Sequence, residues 1–190
     1  MQQYYSLKTA VFLLVLIAIV SFSVTWLILT QKAPEITGLT TGTATVSVNP
    51  VVLLSLPDSS VDFGNLLQSG VNNTTDDLPS PFRVRNDGNT QLNISVRAAS
   101  FLFTGSGSGN NTNKFRFMAG NTSNETNSFN WGNSAKTYTN FTDTDQKAIA
   151  LLGYANTSDE AQIEIAILVP TDEGAGNKTA DIVFTATQGS

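Results

Sequence analysis

The chain has 190 residues, with 10 Lys or Arg against 15 Asp or Glu, a formal charge of −5, and neither Cys nor His. Without thiol or imidazole there is no disulfide framework, no Cys nucleophile, no Ser-His triad and no zinc or iron site of the usual ligand types. Lys8 and Lys32 take two of the 10 bases, so 15 acids stand against 8 bases in the rest, a charge of −7 that argues against a nucleic-acid partner.

Residues 1–9 form a short polar tail. The run from Ala10 to Thr30, AVFLLVLIAIVSFSVTWLILT, has no charge. As a helix, roughly 20 such residues span about 30 Å, the hydrocarbon thickness of a bilayer. Three readings fit it. In an uncleaved signal anchor, Lys8 and Lys32 flank the span, and Tyr4, Tyr5 and Trp26 sit at its interfaces. In a cleaved secretory signal, Ser21-Phe22-Ser23 is the small-x-small site, although apolar character continues through Trp26-Leu27-Ile28-Leu29. In a pilin-type signal the helix is kept and packs into a filament core; Lys8 is then followed by Thr9. The anchor is the reading adopted: a single pass through residues 10–30, with lipid as its partner and the C-terminal part outside the cell. Residues 31–42, QKAPEITGLTTG, read as a linker.

From residue 43 to 190 the pattern changes to period two. Ala44, Val46 and Val48 alternate with Thr45 and Ser47, a strand with one buried face. Val51 to Leu56 is a continuous apolar run, the signature of a strand covered on both faces. Pro57 to Ser60 is a turn cluster, Val61 and Phe63 alternate before Gly64, and Gln68 to Ser80 is a polar loop. Phe82 and Val84, then Leu92, Ile94, Val96 and Ala98, alternate on either side of Asn86-Asp87-Gly88-Asn89, which predicts a hairpin. Thr104 to Asn113 is a low-complexity loop, Lys114 to Met118 a short strand, and residues 119–146 a long segment with no clear period. Ala148 to Leu152 is a strand, and Ile163, Ile165 and Ile167 with Ala180, Ile182, Phe184 and Ala186 predict a second hairpin across TDEGAGNK. Eight or nine short strands with no later helix predict a mainly β fold, an antiparallel Ig-like β-sandwich preceded by one N-terminal hydrophobic α-helix.

Nine of the 18 asparagines begin N-x-S/T: Asn72, Asn73, Asn93, Asn110, Asn121, Asn124, Asn140, Asn156 and Asn177. This is about twice what the Ser and Thr content gives by chance, and it predicts N-glycosylation outside the membrane. Asn93 falls in a strand on the face opposite Leu92 and Ile94; the other eight fall in predicted loops.

No residues assemble a catalytic pattern. Asp143-Thr144-Asp145, Asp76-Asp77 and Asp172-Glu173 are acidic pairs without the loop pattern of a calcium motif, and they lie in Gly/Thr-rich turns rather than among aromatic platforms. Trp131, Tyr138 and Tyr154 read as packing and loop-pinning residues before they read as a sugar platform. The expectation is a non-enzyme with no cofactor and no metal.

The run PFRVRNDGNTQLNISVRA, Pro81 to Ala98, resembles the V-x-N-x-G-N hairpin of Ig-like domains in archaeal and bacterial surface proteins. IEIAILVPTDEGAGNKTADIVFTAT, Ile163 to Thr187, resembles the closing strand pair of the same domains. One membrane helix, such a domain and many sequons together resemble an archaeal cell-surface protein; the layout is also similar to archaeal pilins and archaellins. These motifs serve turns, so the resemblance implies a fold and a place on the cell surface, not an activity. It implies a structural, adhesive or binding role, with other surface proteins, glycans or further copies as partners. The alternative is a filament subunit, built by helix packing or by strand exchange with the linker or first strand as donor.

Overall fold

A computed structural model describes residues 6–30 and 43–190. The linker reading of residues 31–42, and Tyr4 and Tyr5, lie outside the described residues. The chain divides into an N-terminal unit that runs to Ser47 and a second unit, Val48–Ser190.

The first unit contains α1, Leu7–Thr30. It begins three residues before the apolar run because Ser6 caps it: Thr9 N donates to Ser6 O at 2.9 Å and lies 3.4 Å from Ser6 Oγ. No Gly or Pro interrupts its 24 residues, which gives a rod of about 36 Å. It is apolar around its whole circumference, and none of its residues is buried. Three of its hydroxyls bond back to its own carbonyls: Ser23 to Ile19 at 2.8 Å, Thr25 to Ser21 at 2.9 Å and Thr30 to Trp26 at 2.9 Å. The helix therefore leaves these side chains no unmet polar demand.

The second unit is built from nine strands in two antiparallel sheets. They are β1 (Leu54–Asp58), β2 (Val71–Asn73), β3 (Phe82–Asn86), β4 (Leu92–Ala98), β5 (Phe115–Gly120), β6 (Thr139–Asn140), β7 (Gln146–Leu152), β8 (Glu160–Leu168) and β9 (Ile182–Gln188). The larger sheet runs β1-β3-β8-β5-β6, with β2 also on β8; the smaller runs β7-β4-β9. Their inward rows meet in one core, with Val84, Phe117, Ile163 and Ile165 from the larger sheet and Leu92, Ile94, Ile149 and Leu152 from the smaller. Phe141 anchors the middle, its ring 4.4 Å from that of Phe115 and 4.8 Å from that of Phe117.

Several strand expectations are corrected. Residues 43–48 join no ladder among the described residues, and Val46 and Val48 are 84% and 74% exposed. The run from Val51 is not a doubly covered strand: Val51, Val52 and Leu53 are exposed, and only β1 pairs, along one side. Pro57 explains that placement, because it cannot donate to a ladder and sits where the β1–β3 register slips between Ser55 and Asp58. Val61 and Phe63 form no strand but still pack on the core, after which Gly64 turns the chain at φ +63°, its N–H on Asp62 Oδ1 at 2.8 Å. The polar loop from Gln68 contains β2.

Both predicted hairpins are absent. β3 and β4 are strands as expected but lie in different sheets, and so do β8 and β9. The donors around Asp87-Gly88 go elsewhere: Asn86 N to Asp159 O at 2.9 Å, Asp87 N to Leu53 O at 3.0 Å and Asn89 N to Val51 O at 3.2 Å. The segment is a corner between sheets. Gly88 is required there because a Cβ would fall 2.1 Å from Val51 O.

Residues 119–146, unreadable by period, bridge the sheets. Ala119 N donates to Ala135 O at 2.7 Å, Ala135 N to Ala148 O at 2.9 Å and Asn130 N to Ala150 O at 2.8 Å. The 3₁₀ turn Trp131–Asn133 in this segment is capped by Asn130. The segment thereby covers the outer edge of β7.

Candidate functional site

The acidic pairs are each engaged in holding loops. Glu173 is the strongest case. Its carboxylate accepts from Thr104 N at 2.9 Å, Gly105 N at 2.7 Å and Thr104 Oγ1 at 3.1 Å, and meets Lys178 Nζ at 2.5 Å. Lys178 and these backbone donors pull its pKa down to about 2. Asp172 beside it accepts from Ser106 N at 2.8 Å and Ser106 Oγ at 2.5 Å, which lowers its pKa as well. Together they staple the 104–106 loop to the turn before β9. A carboxylate held ionised by that many donors is a poor general acid or base.

Asp145 pairs with Arg97 at 3.3 Å, and Asp143 accepts from Asn110 Nδ2 at 2.8 Å. Asp76 accepts from Leu78 N at 3.2 Å, and Asp77 from Gln162 Nε2 at 3.4 Å. Among the described residues no three Asp or Glu converge on a metal-sized space. An open cleft of about 1230 Å³ has Phe103, Ile167 and Val169 on its floor and Asp62, Gln68 and Lys178 on its rim. Its one buried carboxylate, Glu173, is already saturated.

Glu164 escaped the sequence reading. It sits on the central strand β8 at a position that alternates with Ile163 and Ile165, yet it is 6% exposed. Thr74, the residue after β2, meets it there: Thr74 Oγ1 donates to Glu164 Oε2 at 2.5 Å and accepts from Ile165 N at 2.9 Å. Burial pushes the carboxyl pKa up, and the Thr74 bond offsets part of that. Tyr138 is pushed up to about 12, first by burial and then by the Glu164 charge, with Arg116, 5.3 Å from its ring, pulling the other way. Trp131 and Tyr154 are exposed on separate loops, and Trp131 leans on Phe129 at 5.7 Å between ring centres.

The sequons divide into two groups. Asn110, Asn121, Asn124, Asn156 and Asn177 are exposed in loops. Asn72 and Asn73 are half-buried in β2, Asn93 in β4 and Asn140 in β6, so three of these four depart from the expected loop positions. The strand asparagines use their side chains. Asn72 Oδ1 accepts from Asn73 N at 2.8 Å, Asn73 Oδ1 from Thr75 N at 3.0 Å and Asn93 Oδ1 from Leu151 N at 3.1 Å, while Asn140 Nδ2 donates to Asn111 O at 3.3 Å. Asn93 faces away from the core but points into a bulge of β7 instead of open solvent.

Compared with known proteins, the chain matches no family model. No curated protein matches it either.

Proposed function

We propose that this is a non-catalytic, membrane-anchored cell-surface protein whose β domain lies outside the cell and has a structural, adhesive or binding role. The observation that carries this is α1: 24 residues, apolar on every side, with the hydroxyls of Ser23, Thr25 and Thr30 bonded to its own backbone. Five exposed sequons and a net acidic surface support an exterior location. Acids consumed in loop stapling support a passive role. Two sheets sharing one core, with β4 between β7 and β9, support an Ig-like sandwich of the archaeal surface-protein kind. Membranes from cells expressing the full chain test the anchor. The wild type stays in the pellet after alkaline carbonate extraction, and protease added to intact cells removes the β domain. Leu16→Asp with Val20→Asp releases the chain to the supernatant, because each acid costs about 3 kcal/mol at the centre of a span. A wild type that extracts into the supernatant overturns the anchor.

The second reading, a filament subunit, is favoured by the segment 43–48 and by a strand edge on the β domain, neither of which has a ladder partner among the described residues.

A further inference from the structure

Four strand edges other than β9 are blunted. β1 carries Pro57 and a register slip, β2 has three residues, β6 has two, and β7 is covered by the 130–135 segment. β9 is different: IVFTATQ, seven residues, uncharged, rich in β-branched side chains and, among the described residues, paired only with β4.

Its hydrogen-bond parity is fixed at both ends. Ala99 N donates to Asp181 O at 2.8 Å, and Gly189 N to Gln91 O at 2.7 Å. Odd positions of β9 therefore face β4, and the N–H and C=O groups of Ile182, Phe184, Ala186 and Gln188 face away. Among the described residues nothing bonds them. The core is also thinner on this flank. Phe184 stacks edge-on against Phe82 of β3 at 5.4 Å, and both, with Leu54, Phe63 and Ile182, are only partly buried, whereas Ile149, Phe117 and Phe141 on the opposite flank are closed off.

We infer that this edge is completed by residues 43–48 of a second copy, TATVSV, which joins β9 as a fourth strand of the smaller sheet. The donor matches the acceptor in length and lack of charge. Its Ala44, Val46 and Val48 alternate, so one row can extend the half-covered core while the backbone takes up the free β9 groups. A donor from the same chain is disfavoured by direction. Asn89 Nδ2 donates to Asn49 O at 3.0 Å, and Val51 N donates to Asn89 Oδ1 at 2.6 Å, which ties the chain just after the donor to the end where β9 finishes. A strand from the same chain would then run parallel to β9. A second copy can pair antiparallel, the more stable ladder. Each copy offers one donor and one acceptor, so the contact is head-to-tail and, where its rotation does not close a ring, propagates into an open chain. This deepens the filament reading and does not depend on the bilayer: assembly in micelles tests it, whereas carbonate extraction tests the anchor.

The test is analytical ultracentrifugation of the full chain in detergent micelles. The wild type is expected to form species larger than one chain per micelle. Val46→Asp with Val48→Asp, on exposed positions, removes the donor and is expected to abolish them. Ala186→Pro removes an outward N–H without touching the β4 ladder and is expected to do the same; Thr187→Lys, exposed at the same edge, is the second acceptor variant should the proline unfold the domain by circular dichroism. Mixing donor-dead with acceptor-dead chains is expected to restore dimers but nothing larger. A monomeric wild type, multimers that persist in the donor variant, or a mixture that stays monomeric would each overturn the inference.

Discussion

Glu164 is the residue whose ionisation works against the fold. It is buried on β8, its pKa is raised by burial, and Thr74 Oγ1 is its hydrogen-bond donor. A carboxyl with a folded pKa above its ordinary 4.5 makes no contribution below pH 4.5, where both folded and unfolded chains hold the proton. As pH rises past that point the unfolded chain ionises first, and stability falls until the folded pKa is passed. Glu164→Gln keeps the acceptor for Thr74 and removes the buried charge. The variant is therefore expected to unfold at a higher temperature than the wild type at pH 7, with the gain shrinking to nothing below pH 4.5. Thermal unfolding followed across that range by circular dichroism decides it; a difference that does not change with pH would show that the gain is packing and not ionisation. Gly120 belongs to the same arrangement, since a Cβ there would fall 2.6 Å from Glu164 Oε1.

At the scale of elements, the corner between β3 and β4 decides the topology, and Asn86 holds it. Its Nδ2 donates to Thr90 O at 2.8 Å and Gly153 O at 2.7 Å, with Leu152 O at 3.3 Å, and its Oδ1 accepts from Gly88 N at 3.0 Å. Asn86→Ala strands these groups in a site where Asn86 is 1% exposed, so the expected loss is about 3 kcal/mol, roughly 10 °C in Tm for a domain of this size. A loss of less than a few degrees would mean that the chain around Val51 and Leu53 holds the corner alone. This corner also marks where the sequence stops being readable. Period two placed Val84 and Leu92 on inward faces correctly, because alternation reports which face is buried. It carries no information about the partner strand, so Asp87-Gly88 reads as a two-residue hairpin although the Asp87 N–H goes to Leu53 O, the Asn89 N–H to Val51 O and the Gly88 N–H to Asn86 Oδ1. The same blindness hid Glu164, whose partner Thr74 directly follows the three-residue strand β2 in a polar loop, and the bridge over residues 119–146, whose bonds to the sheets run to carbonyls distant in sequence. α1 was legible to within three residues, because a long uncharged apolar run needs no partner to be recognised.

For the whole molecule, the sequons provide a readout of how the folded domain meets its surroundings. An asparagine accepts a glycan on Nδ2 only where its side chain and the following Ser or Thr are reachable, and the bulky product must project into solvent. Asn121, Asn124, Asn156 and Asn177 meet this condition on exposed loops, and so does Asn110, whose Nδ2 has only the exposed Asp143 to give up. Asn72 fails it because Thr74, its sequon hydroxyl, is fully buried and bonded to Glu164. Asn93 fails it because its side chain closes the β7 bulge at Leu151 N. Glycopeptide mass spectrometry on the full chain, expressed in a host that performs N-glycosylation and recovered from its membranes, is expected to find occupancy among those five loop sites and none at Asn72 or Asn93. Loop-site occupancy would also place the β domain on the exterior face, because the transferases act there. Glycan on Asn93 would require β4 and β7 to part before modification, and would show that the modified chain does not carry the smaller sheet in this form.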